Sequence, residues 1–416
     1  MEKSKKAFDT HPACTKTGYL ADPTDVEVPA GFESVVPVVL ACNENYAPYA
    51  GVAIQSVLEN AGPGRFYRVY VLHAGLTDDT IRLLESIKAP QLTVRCLNVE
   101  PLVESKGAQL HICSYFSKEA YFRLLIPEVL SAYSQVVYLD CDLVVNRDIA
   151  DILPSDMGDK LFGAVRDQFD FLMSIYITEQ LCLKAENYFN SGVLVFNIGR
   201  WNAEETTEKC FAYIRNAQPE QLKYVDQDVL NVVCRDRVLY LDEAWNYYWI
   251  IAMWPEPIHR SFVERIGESF YALHFAGKLK PWSRPDLPLS PYFWRYAKNS
   301  VFFERILETI GKTAVEELNK QKAETDELKK QNARLQYDLD CVHNSVSYHV
   351  GRAITWAPRK VRGGVRCLRD HGAGYTVRRT LYHMGLWEDE ETPRGSENRP
   401  KLVKHAERIL HPKKGK

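Results

Sequence analysis

The sequence predicts an α/β protein in which a doubly wound, mostly parallel sheet is followed by a C-terminal helical extension. Three observations carry this expectation. Short β-branched apolar runs alternate with helical patterns between residues 34 and 145. The last of these runs, residues 136–145, carries two carboxylates one residue apart, Asp140 and Asp142. Beyond residue 300 the pattern changes to a heptad helix and then to a basic, aromatic segment. A chain of 416 residues with 46% hydrophobic content is long enough for a large core and two or three structural units.

The elements follow in chain order. A strand from Pro37 to Ala41 precedes a small-residue and apolar helix from Ala47 to Leu58, and the Gly62-Pro63-Gly64 turn leads into a strand from Phe66 to Leu72, which makes a βαβ unit. Thr77, followed by Asp78 and Asp79, starts a helix with Ile81, Leu84 and Ile87 as its inner stripe. A strand near Leu92 to Leu97 and a helix around Ser117 to Leu125 lead to the strand that bears the two acids. The pattern divides the chain into a polar segment (1–33), a main α/β domain (34–300), a helical or coiled-coil segment (301–344), a basic aromatic segment (345–390) and a disordered tail (391–416).

Composition excludes several classes. Residues 1–33 lack the apolar stretch of a signal peptide, and no run reaches the ~18 to 20 apolar residues that a membrane span needs. Ten scattered cysteines, without close CxxC pairs, read as reduced and mostly buried thiols, and the expectation is a cytoplasmic chain. Charge is uneven: residues 301–416 hold 23 Lys or Arg and 16 Asp or Glu, a net +7, which leaves the first 300 residues at −9.

Ligands of α/β sheets bind at the carboxyl ends of strands, which is where Asp140 and Asp142 fall. Alternate residues of an extended segment point the same way, so the two acids can share one hard cation such as Mg2+ or Mn2+; the bland alternative is turn or capping chemistry. Three later segments add weight. Asn190, in Asn190-Ser191-Gly192, precedes an apolar strand and, standing alone, reads more readily as an ordinary turn-strand junction. Asp226, Gln227 and Asp228 open a helix, where capping is the default role of acids. His274-Phe275-Ala276-Gly277-Lys278-Leu279-Lys280 supplies an imidazole able to ligate a metal and lysines able to neutralise phosphate, although a lone histidine among apolar residues is usually structural.

Taken in order, Ala-Cys-Asn-Glu-Asn-Tyr (41–46), Tyr-Leu-Asp-Cys-Asp (138–142), Phe-Asn-Ser-Gly-Val (189–193), Asp-Gln-Asp-Val-Leu-Asn (226–231) and the His274 to Trp282 segment resemble the motif series of glycosyltransferase family 8, across about residues 35–285. These are retaining, nucleotide-sugar-dependent enzymes, and the likeness is to the bacterial lipopolysaccharide galactosyl- and glucosyltransferases in particular. The resemblance implies the GT-A fold, with a Rossmann-like nucleotide-sugar-binding domain. It implies Asp140, Asp142 and His274 as ligands of Mn2+ (or Mg2+), with a UDP-sugar as donor. Cys141 lies between the acids, and Gly277 and Lys280 match the diphosphate positions. Ala41, Asn43 and Tyr46 match the uridine pocket, where the family pattern often has Asp in place of Asn43. Arg123 matches a basic residue near sugar and diphosphate; Asn190, Asp226 and Gln227 match positions around the donor hexose.

The implied reaction moves a hexose, galactose or glucose, from a UDP-hexose to a saccharide or glycolipid acceptor of a bacterial cell-surface glycan. Gln227 is the match beneath the sugar and a poor nucleophile, which favours same-face transfer through an oxocarbenium-like state; Asp226 and Asp228 are carboxylates that keep double displacement open. Two rivals are weighed. A haloacid-dehalogenase-like phosphatase would use Asp140 as nucleophile, but its motif lies on a first strand and its Gly-Asp-x-x-x-Asp motif is missing here. A non-catalytic sugar-nucleotide-binding protein need not keep Asp140, Asp142 and His274 together.

In the extension, Leu318, Thr325, Asn332 and Leu339 recur every seven residues, as do Gln321, Leu328, Leu335 and Val342. This is either a short coiled coil, with homodimerisation through 315–342, or a single amphipathic helix on the body. Residues 345–383 hold eight Lys or Arg (Arg352, Arg359, Lys360, Arg362, Arg366, Arg369, Arg378 and Arg379) against Asp370 alone, interleaved with Tyr348, Trp356, Tyr375 and Tyr382, and Trp387 follows. An anionic membrane surface is the favoured partner, with the protein peripheral on the inner face of the membrane; a solvated or protein-binding tail is the alternative, and no nucleic acid is expected.

Overall fold

The computed structural model describes residues 23–107, 110, 117–168, 170–253, 270–352, 354, 355, 362, 365, 366, 368–372 and 375. The start of the polar N-terminal segment, the tail 391–416, and Trp356, Arg359, Lys360, Arg378, Arg379, Tyr382 and Trp387 lie outside the described residues. In chain order the elements are β1 (Ser34–Ala41), α1 (Ala47–Glu59), β2 (Arg65–His73), α2 (Asp78–Glu85), β3 (Leu92–Asn98), α3 (Glu100–Ser105), α4 (Ile126–Val129), β4 (Gln135–Leu139) and β5 (Leu143–Val145). There follow β6 (Phe162–Arg166), α5 (Asp170–Ile175), β7 (Phe189–Asn197), α6 (Ile198–Ala203), α7 (Thr206–Asn216), α8 (Asp226–Val233), β8 (Val238–Tyr240), β9 (Tyr247–Tyr248), β10 (Ala272–His274), α9 (Ser290–Ala297) and α10 (Phe303–His343).

Among the described residues, seven strands form one sheet in the order β3-β2-β1-β4-β7-β6-β8. The pairs β1·β2, β2·β3, β1·β4 and β6·β8 are parallel, and β7 runs antiparallel to both β4 and β6. Alternation sorts each strand between two cores: Val38, Leu40, Val69 and Val71 join one apolar cluster, while Val39, Tyr70 and Leu72 join the other. Both faces are therefore covered, as the near-continuous apolar runs imply. Each Val or Leu so buried stabilises the fold by ~1.5–3 kcal/mol. Pro37 is tolerated in β1 because β4 pairs with β1 only at Val38 and Val39, so the missing N–H falls before the shared ladder. Thr77 caps α2, its side chain accepting the Thr80 N–H.

One expectation is corrected. Residues 136–145 are not a single strand ending in the two acids: β4 stops at Leu139, the chain turns, and β5 joins a second, three-stranded sheet of order β5-β10-β9. The backbone is drawn apart by two partners. Asp140 N–H donates to Gly192 O at 2.8 Å, extending the contact with β7, while Phe275 N–H donates to Asp142 O at 2.8 Å, extending the contact with β10. Ser56 of α1 fixes the far side by accepting the Val145 N–H at 2.9 Å. The helix around Ser117 to Leu125 is also tighter than expected, a 3-10 helix over Lys118–Leu125.

The chain divides into two compact units, one to Glu317 and one from Leu318. In the first, Phe302 and Ile306 are buried in the core, and Gly51 of α1 is required because a Cβ there would lie 2.4 Å from the Phe302 ring. In the second, α10 continues to His343, and the heptad leucines Leu318, Leu328, Leu335 and Leu339 are exposed. Among the described residues, no helix is long and apolar enough to cross a membrane.

Candidate active site

The carboxyl ends of β1 and β4, the start of β7, the start of α8 and the end of β10 converge on a cavity of about 380 Å3. Of the residues singled out in the sequence, Ala41, Asn43, Tyr46, Arg123, Asp140, Cys141, Asp142, Asn190, Asp226, Gln227, His274, Gly277 and Lys280 line it. Asp228 does not. Its two oxygens accept hydrogen bonds from Tyr188 Oη (2.5 Å), Tyr176 Oη (2.7 Å) and the Tyr224 N–H (2.6 Å). The reach back to Tyr224, just before α8, is that of a capping residue.

The break between β4 and β5 gives the acids different surroundings. Asp140 Oδ1 accepts from Tyr138 Oη at 2.7 Å and pairs with Arg123 Nη2 at 3.0 Å. Asp140 Oδ2 lies 3.8 Å from His274 Nε2, and Asp142 Oδ1 lies 3.1 Å from the same nitrogen. The Lys280 ammonium bonds the second Asp142 oxygen and, at 2.8 Å, Phe275 O. Burial would push the Asp142 carboxyl up, but the charges of Lys280 and His274, with their hydrogen bonds, hold it well below the ordinary carboxylate range.

His274 is oriented by a polar chain whose directions are fixed by backbone donors. Gly192 N–H donates to Asn190 Oδ1 (2.8 Å) and Ser191 N–H to Gln227 Oε1 (3.3 Å), so both side-chain oxygens are acceptors. Consequently Asn246 Nδ2 donates to Asn190 Oδ1 (2.8 Å), and Asn190 Nδ2 donates to Gln227 Oε1 (2.9 Å). Gln227 Nε2 in turn donates to Asp167 Oδ2 at 3.3 Å, which also accepts from Tyr248 Oη at 3.1 Å. Asn246 Oδ1 is thereby left to accept from His274 Nδ1 at 2.8 Å, and Nε2 is the ring nitrogen turned to the acids.

Arg123, buried, ties the acids to α8. Its Nε–H donates to Ala120 O at 2.9 Å, so Asp226 Oδ2, 3.0 Å from the same nitrogen, gains the charge but accepts no hydrogen bond there. Burial pushes the Asp226 carboxyl up to about 7, with Arg123 pulling it down and Asp140 pushing it up. Val225, the residue before α8, sits at φ 44° and ψ −114°, a region that costs a β-branched residue ~1–3 kcal/mol. Asp226 and Gln227, which line the cavity, follow directly from this turn.

At the other end, Asn43 Oδ1 accepts the Tyr46 N–H at 3.1 Å and Asn43 Nδ2 donates to the buried Glu119 Oε2 at 3.2 Å. Cys141 Sγ–H donates to Ala41 O at 3.2 Å, joining the acid loop to the end of β1. Gly277 has φ +91°, which a side chain would strain, and Trp282 stacks on Tyr49 of α1 at 3.6 Å, clamping the Lys280 loop onto the first βα unit.

One ligand atom from each of Asp140, Asp142 and His274 lies within 4.8 Å of the others. Two carboxylates and an oriented imidazole are a donor set that fits a divalent cation of the Mn2+ or Mg2+ kind. Gly192 is the floor of this cradle: a Cβ there would come 2.4 Å from His274 Cε1 and 2.8 Å from Asp140 Oδ2. Asn246, Asp167, Glu119 and Tyr248 were not found from sequence. Their segments carry no motif, and only the fold brings Glu119, Asp167 and Tyr248 to the cavity wall and Asn246 against His274.

Such a site, at the strand ends of a mostly parallel sheet, defines a GT-A-like glycosyltransferase. Residues 37–286 match the family described as Glycosyl transferase family 8, and the chain belongs to that family. It is similar to General stress protein A of Bacillus subtilis (27% identity over 295 residues, 68% of this chain and 98% of that protein). It is also similar to a lipopolysaccharide 1,2-glucosyltransferase of Escherichia coli (29% over 246 residues, 58% of this chain and 71% of that protein). Among solved structures, galactosyltransferase LgtC in complex with donor and acceptor sugar analogs superposes with a TM-score of 0.52 at 26% identity, over 64% of this chain and 96% of that one. The bifunctional glycosyltransferase WbbM shares the fold (TM-score 0.57, 24% identity, 68% of this chain), and this chain spans about half of its length, 53%.

Proposed function

We propose that this protein is a metal-dependent, retaining hexosyltransferase that moves glucose or galactose from a UDP-sugar to a saccharide or glycolipid acceptor of a bacterial cell-surface glycan. The observation that carries the reading is the joining, in one cavity, of the Asp140, Asp142 and His274 ligand set with Lys280 on one side and the Asn190, Gln227 and Asp226 group on the other. Relatives with lipopolysaccharide glucosyl- and galactosyltransferase names support the sugar and acceptor class.

A divalent cation at this site, Mn2+ or Mg2+, would neutralise the diphosphate and serve as Lewis acid for the departing UDP. The chain's own residues do the rest. Lys280 and the open backbone at Gly277 receive the diphosphate, where negative charge develops. Ala41, Asn43 and Tyr46 take the nucleoside. Asn190, Gln227 and Asp226 present amide and carboxyl groups to the hydroxyls of the hexose, and Arg123 holds Asp226 beside them. Gln227 Oε1 already accepts two hydrogen bonds, from Asn190 and the Ser191 N–H, which argues against its attacking the anomeric carbon and favours same-face transfer.

Membrane association belongs to the same reading. Arg362, Arg366 and Arg369 fall at helical spacing on exposed residues of the second unit, and Arg352 is exposed on the helix before them. Such a face suits an anionic leaflet on the cytoplasmic side. The test of the function is a screen of UDP-Glc, UDP-Gal and their N-acetyl forms for Mn2+-dependent hydrolysis. Turnover of one UDP-hexose is the expected result; no turnover of any, with folded protein and metal present, overturns the reading.

A further inference from the structure

The second unit contains a surface that the catalytic reading does not use. From Leu318 to His343, α10 is one continuous helix, and Leu318, Leu328, Leu335, Leu339 and Val342 on it are between 48% and 66% exposed. With Leu318, Thr325, Asn332 and Leu339 at a, and Gln321, Leu328, Leu335 and Val342 at d, they lie on one seam with strict 3-4 spacing. We propose that α10 pairs with the same helix of a second copy of this chain as a parallel, in-register, two-stranded coiled coil.

Charge complementarity selects both the occupant and the direction. The positions flanking the seam are Lys322, Lys329, Gln336 and His343 at e, and Glu324, Gln331 and Asp338 at g. In a parallel pair each g residue meets the e residue of the following heptad across the seam. Glu324 then meets Lys329 of the partner subunit, Gln331 meets Gln336 of the partner subunit, and Asp338 meets His343 of the partner subunit. The three contacts are acid with base, amide with amide, and acid with imidazole. An antiparallel pair would instead bring g to g and e to e, acids facing acids and bases facing bases, which is repulsive.

Asn332 points the same way. At an a position it meets its own copy only when the helices run parallel and in register, where the two amides satisfy each other. The intrahelical contact of Lys329 Nζ with Asp326 Oδ1, 3.2 Å and largely exposed, is too weak to hold Lys329 from its partner. Thr325 and Gln321 soften the first heptad, so the tight part of the seam runs from Leu328 to Val342.

Sedimentation equilibrium of the full chain tests this without reference to catalysis. The expected mass is twice 47.8 kDa. Leu328→Lys combined with Leu335→Lys should bring it to a single chain. That variant should hydrolyse donor at the wild-type rate, so loss of assembly and loss of the catalytic reading are separable. Glu324→Lys should weaken the dimer at least several-fold, and adding Lys329→Glu in the same chain should restore it. For direction, Leu318→Cys in a Cys341→Ser background is mildly oxidised and the disulfide mapped by mass spectrometry. A link between the two introduced thiols supports the parallel register. A monomeric wild type at tens of micromolar, or a dimer in which the introduced thiol never links to its own copy, overturns the proposal.

Discussion

Asn246 accepts the Nδ1 hydrogen of His274 at 2.8 Å, and because its own amide nitrogen is committed to Asn190, it cannot turn over to donate instead. The imidazole is therefore held in one orientation, with Nε2 toward Asp140 and Asp142, by a residue that is not itself one of the three ligands. Replacing Asn246 by Ala should lower Mn2+ affinity about 10- to 100-fold with the three ligands intact. Calorimetry of Mn2+ in the presence of UDP measures this, and unchanged affinity would remove Asn246 from the orienting role. Asp140→Asn, Asp142→Asn and His274→Ala should each go further and abolish metal-dependent UDP binding.

Gly192→Ala is a test of the cradle's shape. The new Cβ would meet His274 Cε1 at 2.4 Å, and both groups belong to strands tied into their sheets. The expected outcome is at least a 100-fold loss of turnover with far-ultraviolet circular dichroism preserved and stability lowered by ~1–3 kcal/mol. A fully active variant would mean that the ligands have room the geometry does not show.

Asp228 predicts a pH dependence of stability. Burial raises its carboxyl to about 6, against the lowering effect of hydrogen bonds from Tyr188, the Tyr224 N–H and Tyr176. Between pH ~4 and ~6 the folded chain holds a proton that the unfolded chain has released, so stability is greatest below this window and falls as pH rises through it, by up to about 3 kcal/mol. Asp226, pushed up to about 7 by burial, has the same sign and extends the fall toward neutrality. Asp228→Asn should flatten the lower part of the curve of Tm against pH. A wild-type Tm that climbs steadily from pH 4 to 6 would contradict the sign.

Stereochemistry separates the family's chemistry from a look-alike. The product should keep the α configuration of the UDP-sugar, read from the coupling of the anomeric proton. A β-linked product would exclude same-face transfer.

Removal of residues 345–416 should release the protein from anionic vesicles at low ionic strength, since each surface Lys or Arg contributes ~1 kcal/mol there. Hydrolysis of soluble donor should persist, because the candidate site residues all precede Trp282. Equal binding of the full chain to neutral and anionic vesicles would rule out the electrostatic attachment.

Most of the sheet was legible because the signals are local: the apolar runs of β1, β2 and β3, the Thr77 cap and the turn at Gly62 each specify their own geometry. The cavity residues were legible because they cluster at strand and helix ends, where short motifs stand out. The break at Asp140–Asp142 was not, since the residues on either side are equally β-branched and apolar. The chain is held to β7 up to Asp140 by Gly192 and drawn to β10 from Asp142 by Phe275, respectively 52 and 133 residues downstream of Asp140 and Asp142. Asn246 was invisible for the same reason. Asp228 was readable as a capping acid, and its tyrosine partners favour the ordinary role over the chemical one.

Because the chain crosses from one sheet to the other between Asp140 and Asp142, the two carboxylates are held by different sheets, Asp140 through β7 and Asp142 through β10, the strand that ends in His274. Any slip of the small sheet along the large one widens or narrows the gap that a cation must bridge. Occupancy should then act as a rivet: backbone amides of β5 and β10 should exchange with deuterium more slowly when Mn2+ is added, whereas β2 and β3, remote from the joint, should exchange at the same rate with or without it.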